Sequence, residues 1–189
     1  MKKEKQLLRE KALAKRGALS AKQVREKSRK IAERLFRLRE FIEAKNIFCY
    51  MGFGNEVQTR KITEGALKSG KGVFVPKVKG KKMLACAFTS FKAMEKSAFG
   101  IFEPKKCRSI PLKKIDLVIA PGLAFDRKLN RLGFGKGFYD RFLKKLPKKT
   151  KRIALAFECQ VFGKVPAEKK DEKMDFVVTE KRVLRSSLK

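Results

Sequence analysis

The stretch Ile115-Asp-Leu-Val-Ile-Ala-Pro-Gly-Leu-Ala-Phe-Asp-Arg-Lys-Leu-Asn-Arg-Leu-Gly-Phe-Gly-Lys-Gly-Phe-Tyr-Asp-Arg-Phe-Leu143 decides how this chain is read. Residues 115–120 are an apolar run that predicts a buried strand. From Phe138 the pattern turns helical. Between them Gly133, Gly135 and Gly137 alternate, with Arg131 and Lys136 among them. A strand, a glycine-rich loop carrying cations and then a helix start is a physical recipe for holding phosphate. Bare backbone N–H groups converge there and the helix dipole favours negative charge. The spacing is neither the G-x-x-x-x-G-K-[ST] loop nor a dinucleotide fingerprint. A tight structural turn would also account for three glycines, so the phosphate reading leans on the cations and the strand-to-helix setting.

Working outward, residues 3–16 predict a very basic helix with a modest apolar face of Leu7, Leu8, Ala12 and Leu13. Ser20 and Gln23 fit a capping box for a second helix running to about residue 40, with Val24, Ile31, Leu35 and Leu38 on one stripe. Residues 46–50 and 72–75 predict strands, the second stopped by Pro76. Thr59 can cap a helix between them that ends near Gly70. Residues 83–91 have strand composition, 102–104 predict a turn, 153–157 a strong strand and 176–178 a short last strand. Strands alternating with helices predict an α/β fold. It would be a single three-layer domain over residues 1–189, with a largely parallel central sheet flanked by helices.

Composition narrows the chemistry. Fifty Lys and Arg against nineteen Asp and Glu give a net charge of +31, which favours polyanionic partners. The chain has no His, which excludes imidazole bases, Ser-His and Cys-His nucleophiles and His-ligated metals. Cys49, Cys86, Cys107 and Cys159 lack C-x-x-C spacing and are expected as free thiols in a reducing cytoplasm. No secretory apolar region or membrane-length run is present, so a soluble cytoplasmic protein without membrane contact is expected. Asp140 is the only acid in a cationic stretch; it could hold Mg²⁺ beside a bound phosphate or simply complement the helix dipole. For Asp126, Glu56 and Asp175, ordinary turn roles are the plainer reading.

Residues 121–141 resemble the hallmark segment of the 5-formyltetrahydrofolate cyclo-ligase family, also called 5,10-methenyltetrahydrofolate synthetase. Nearly the whole chain is similar. Lys5-Gln-Leu-Leu-Arg9, with Arg16 and Leu19-Ser20, resembles the family's N-terminal basic helix and cap. Asn55-Glu-Val-Gln-Thr59 resembles its "E-[IV]-x-T" segment, and Phe99-Gly-Ile-Phe-Glu-Pro104 its "YGIxEP" stretch. Asp175, before a valine-rich strand, matches a late family Asp. Two positions depart from the pattern. Leu129 replaces the usual Gly, and because Leu disfavours positive φ the turn is expected to take another shape. Phe138 replaces the first Tyr of Tyr-Tyr-Asp, so a hydroxyl is lost there.

The resemblance implies ATP- and Mg²⁺-dependent closure of 5-formyltetrahydrofolate to 5,10-methenyltetrahydrofolate, through a phosphorylated formyl group. It implies that Lys5, Arg9, Arg131, Leu132, Gly133, Phe134, Gly135, Lys136, Gly137, Phe138 and Tyr139 contact ATP. Arg131 and Lys136 would also serve catalysis. Met51, Glu56, Phe138 and Tyr139 would bind the folate, and Asp140 with Asp175 would hold Mg²⁺. A monomer with incidental RNA affinity, acting on folates that can carry polyglutamate, completes the expectation. The alternative is a basic RNA-binding protein without folate activity, but the chain lacks the interleaved aromatics of an RRM.

Overall fold

A computed structural model describes residues 1–97, 100–168 and 170–185. Helices α1 (Lys2–Gly17), α2 (Ala21–Phe36) and the short α3 (Arg39–Glu43) come first. Strand β1 (Asn46–Cys49), helix α4 (Arg60–Lys68) and the hairpin β2 (Gly72–Lys79) and β3 (Lys82–Ala87) follow. Strands β4 (Met94–Lys96) and β5 (Phe102–Pro104) form a small ribbon. Then come β6 (Leu117–Ala120) and a second ribbon of β7 (Ala124–Phe125) and β8 (Arg131–Leu132). Helix α5 (Phe138–Leu143), β9 (Lys151–Leu155), β10 (Phe176–Val178) and β11 (Val183–Arg185) complete the order.

The main sheet runs β11-β10-β9-β6-β1-β2-β3. Its five inner strands are parallel, and β3 and β11 lie antiparallel at the edges. The chain moves outward from β1 to β2 on one side, then returns to β6 and moves outward on the other. The strands β1 and β6 therefore flank the topological switch point, beyond whose carboxyl ends open α/β sheets hold their ligands. The segments leaving there are 50–59 and the glycine loop.

Successive strand residues point to opposite faces. Ile47, Cys49, Leu117 and Ile119 share a cluster with Val24, Ile31 and Leu35 of α2 and Ile62 and Ala66 of α4. Phe48, Val118 and Ala154 join Phe142 and Leu143 of α5 on the other face, where Phe48 stacks on Phe142 at 4.4 Å. Both faces are covered, which is why β6 reads as an unbroken apolar run. On a third cluster, Ala12 of α1 meets Leu123, Ala124, Leu132 and Val165.

Several expectations are corrected. The Ser20–Gln23 capping box forms, but α2 stops at Phe36; Leu38 is extended, and this break lets Phe41 pack beside Phe36 at 5.2 Å. Thr59 stands at the start of α4, yet its hydroxyl donates to the Tyr50 carbonyl at 2.8 Å instead of capping the helix. Pro76 does not end β2: pairing with β1 stops at Phe74, so a residue without an N–H is tolerated where only β3 remains. The strand composition of residues 83–91 fits an antiparallel hairpin or edge, and β3 is the antiparallel edge strand paired with β2; it ends at Ala87, and a 3₁₀ turn, Phe91–Ala93, follows. Residues 102–104 are strand β5, not a turn, and β11 follows β10 as the last strand. Phe99, which opens the YGIxEP-like stretch, lies outside the described residues.

Cys86 and Cys107 are joined by a disulfide; Cys49 and Cys159 are free. The pairing arises because residues 107–110 return along the edge of β3, where the Ala87 N–H donates to Arg108 at 2.9 Å. The turn at Leu129 does take a positive φ despite the side chain: Leu129 itself has φ 63°, the only positive φ outside glycine among the described residues. Such a conformation costs a side-chain-bearing residue roughly 1–2 kcal/mol. Its surroundings over-determine it. The buried Asp126 carboxylate accepts N–H bonds from Lys128, Asn130 and Val165, at 2.9, 3.0 and 2.9 Å. The Leu129 side chain is buried in the α5-side cluster, and its carbonyl accepts from Met174 at 3.0 Å.

Candidate active site

Helix α1 turns two of its cations, Lys5 and Arg16, inward and leaves Lys2, Lys3, Lys11 and Lys15 exposed. Lys5, Ala12 and Arg16 are its buried residues, whereas Leu7 and Leu13 are exposed. Lys5, Arg9, Ala12 and Arg16 follow a 4-3-4 spacing, which is one helical stripe. Lys5 donates to Asp171 at 2.6 Å and Glu168 at 3.1 Å. Burial works against the Lys5 charge, but these two acids outweigh it and hold its pKa above the ordinary value. Arg9 donates from Nε to the Gly133 carbonyl at 3.0 Å, and a Cβ at Gly135 would stand 3.4 Å from the Arg9 guanidinium. With φ of 99° and 64°, Gly135 and Gly137 both occupy backbone that L side chains avoid. The loop backbone thus packs against one expected cation and leads into α5. Leu132 is buried beneath it, and Phe134 and Lys136 are exposed on it.

Arg131 is buried and donates to Asp140 Oδ1 at 2.6 Å and to the Pro121 carbonyl at 3.4 Å. Its guanidinium lies 5.7 Å from the Tyr139 ring centroid. The Glu172 N–H also approaches Asp140 Oδ1, at 3.5 Å. Arg131, Tyr139 and Asp140 therefore form one group where the loop enters α5. Tyr139 packs partly into both main clusters, edge-on to Phe48 at 6.5 Å, whereas Phe138 is half-buried beneath Arg141. Asp175 is placed differently. At the start of β10 its carboxylate accepts the Arg152 N–H at 2.8 Å, a strand-end clasp.

The segment after β1 supplies the other wall. Met51 and Glu56 are buried there, and Tyr50 donates to the Val57 carbonyl at 3.1 Å. Glu56 Oε1 stands 3.7 Å from Arg16, and its other oxygen accepts the Phe53 N–H at 3.4 Å. Burial raises the Glu56 carboxyl to about 7, with Arg16 and the Phe53 N–H pulling the other way. The Tyr139 phenol is pushed well up by burial, and then by Cys49 and Glu56. Among the described residues, two buried side-chain nitrogen or oxygen atoms have no hydrogen-bond partner: Tyr139 Oη and Arg131 Nε. Buried donors left without partners are costly unless something else satisfies them. They sit where the glycine loop and the Glu56 segment converge.

A family model described as the 5-formyltetrahydrofolate cyclo-ligase family matches residues 1–180. The chain belongs to that family. A "probable 5-formyltetrahydrofolate cyclo-ligase" of Schizosaccharomyces pombe is 33% identical over 82% of this chain and 85% of its own. The 5-formyltetrahydrofolate cyclo-ligase of Escherichia coli K12 is 30% identical over 89% and 96%. The solved 5,10-methenyltetrahydrofolate synthetase of Aquifex aeolicus superposes with a TM-score of 0.86 at 36% identity, covering 98% of this chain and 96% of that one. The corresponding synthetase of Mycoplasma pneumoniae gives 0.75 at 26% identity, over 93% and 98%. This cyclo-ligase family member is thus an enzyme of the ligase class, built on the α/β fold that its sequence predicts. Among the described residues, no helix is long and apolar enough to cross a membrane.

Two residues of the candidate site escaped a reading by residue type. Arg16 stands out with the N-terminal basic helix but without a role of its own; its spacing from Lys5 and Arg9 is the signal that assigns it to the same helical stripe. Asp126 read as a turn residue, which it is, and its carboxylate accepts four hydrogen bonds, from the backbone of Lys128, Asn130 and Val165 and from the Asn130 amide, in the turn just before Arg131.

Proposed function

We propose that the protein closes 5-formyltetrahydrofolate to 5,10-methenyltetrahydrofolate at the expense of ATP, releasing ADP and phosphate. The observation that carries this is the convergence at the switch point. A cationic glycine loop lies on one side, a buried carboxylate on the other, and unpartnered Tyr139 and Arg131 atoms between them. ATP lies along residues 131–137, with Arg9 bracing the loop backbone and Lys136 and Arg131 offsetting phosphate charge. Lys5 screens the same side while held by Asp171 and Glu168. Across the cleft Glu56 accepts the amide and amino donors of the pterin, Met51 lines its pocket, and the Phe138–Tyr139 corner supplies apolar surface.

Phosphoryl transfer of this kind needs positioning and charge neutralisation more than a protein nucleophile, which suits a site without histidine. The formyl oxygen attacks the γ-phosphorus and displaces ADP. N10 then attacks the activated formyl carbon and gives up its proton to solvent, the ring closes, and the phosphate leaves with the former formyl oxygen. Asp140 fits a hydrated Mg²⁺: Arg131 and the Glu172 N–H share its Oδ1, and Mg²⁺ is commonly held through a single carboxylate plus phosphate oxygens and water. Such an ion neutralises charge developing on the phosphate oxygens. Asp175, with its carboxylate on the Arg152 backbone, does not fit that role as well, and we assign it to the strand end. A monomeric, single-domain enzyme of the cytoplasm goes with this reading, and the +31 charge would add incidental RNA affinity.

The test is to follow the methenyl product by its absorbance with 5-formyltetrahydrofolate, ATP and Mg²⁺. Product is expected only when all three are present. A folded sample that forms none at any temperature would overturn the reading, and salt-sensitive RNA binding without turnover would favour the basic-protein alternative.

A further inference from the structure

Arg16 is buried, and its guanidinium reaches two segments 78 residues apart: Glu56 at 3.7 Å and the exposed Phe134 ring at 5.8 Å. Buried ion pairs seldom stabilise a fold more than apolar packing of similar volume would, so an arginine at this place asks for another reason. The geometry supplies one. At 3.7 Å the pair is not the close two-bond fork that arginine makes with a carboxylate, so it neutralises Glu56 while leaving that carboxylate able to accept from a ligand. The same guanidinium stands over the Phe134 ring of the glycine loop.

We propose that Arg16 is a positioning residue for the folate-side carboxylate. From α1 it favours the ionised form of Glu56, and it joins that segment to the glycine loop through Phe134. The inference rests on the folate reading given above. The groups that face Glu56 are Arg16 from α1, Tyr50 at the end of β1 and Tyr139 on α5, with Cys49 and Arg131 beside Tyr139. Both phenols are held neutral by burial, and Arg16 is the charge that favours the ionised carboxylate. A pterin offers donors, so it needs Glu56 as an acceptor. Without Arg16 the carboxyl keeps its proton to higher pH and one acceptor position is lost.

The experiment compares wild type, Arg16→Met and Arg16→Lys in folate binding by fluorescence quenching and in turnover across a pH series. Arg16→Met should raise the folate Kd and KM about tenfold near neutral pH, the usual scale for losing a hydrogen bond to a charged group, while kcat changes little. The deficit should shrink as pH rises, because Glu56 then ionises unaided. Arg16→Lys should keep the wild-type pH dependence with a smaller loss. Folate binding by Arg16→Met that matches wild type at every pH would overturn the proposal. So would a loss of kcat and KM that is independent of pH and equal in both variants, since that is a packing defect. If Arg16→Met does not fold, Arg16→Gln against Arg16→Lys decides by the same criteria. Failure of wild type itself to bind 5-formyltetrahydrofolate would instead overturn the functional reading.

Discussion

Replacing Glu56 by Gln should change the pH dependence of stability in a defined direction. Burial raises the Glu56 carboxyl from 4.5 to about 7. In the unfolded chain the group ionises first, so between these two values the native state binds more protons. Stability must therefore fall as pH rises through that window. Each pKa unit corresponds to about 1.4 kcal/mol, and integrating the two titrations from about pH 5 to pH 8 gives a loss of about 2.5 kcal/mol. The chain has no His, so that interval is nearly free of other groups whose titration differs between the folded and unfolded states. Glu56→Gln removes the titration but also leaves Arg16 without its counter-charge, a constant offset. The pH-dependent part is the clean signal: urea midpoints should show the variant gaining about 2.5 kcal/mol on wild type from pH 5 to pH 8, while losing folate binding. A difference that stays flat with pH would refute the assignment of a raised carboxyl, whatever its sign.

Four further outcomes follow from single residues and bonds. Lys136→Ala and Asp140→Asn should each lower turnover at least about tenfold with folding intact. Asp140→Ala should also cost about 3 kcal/mol of stability, because it strands the buried Arg131 charge. Both variants of Leu129 should destabilise by loss of a buried side chain, but Leu129→Gly by about 1 kcal/mol less than Leu129→Ala, since only glycine relieves φ 63°; equal urea midpoints would show that no strain is stored. Reducing the Cys86–Cys107 bond, which spans a separation of 21, should lower stability by about 3 kcal/mol in urea melts with and without a thiol.

The fold was legible where one physical requirement dominates. A strand buried on both faces must be apolar throughout, and 115–120 and 153–157 announced the sheet's centre. The Ser20–Gln23 box placed a helix start to the residue, because capping is local chemistry. Elements governed by their neighbours were not legible. Pro76 passes through β2 because β1 has already ended, and residues 102–104 become a strand because β4 lies beside them. The disulfide depends on a loop returning along β3, which no spacing between Cys86 and Cys107 encodes. Leu129 is the sharpest case. Its intrinsic preference argues against positive φ, yet Asp126 gathers the backbone around it so fully that the preference is overruled.

Helix α1 misled the reading for a related reason. An amphipathic pattern assumes that the buried face is apolar, and Leu7, Leu8, Ala12 and Leu13 were the residues to bury. Two of those leucines are exposed, while Lys5 and Arg16 are buried. Burying a cation is unfavourable unless an acid or a ligand awaits it. Here Asp171 and Glu168 meet Lys5, the Gly133 carbonyl meets Arg9, and Glu56 meets Arg16. None of those partners is near α1 in sequence, so no window along the helix could reveal them. The conflict between pattern and burial therefore carries information of its own. A helix that buries two of its cations, against the preference of its own composition, fits the wall of the site proposed above to handle negative charge. In this chain that wall is shared by the glycine loop and by the carboxylate opposite it.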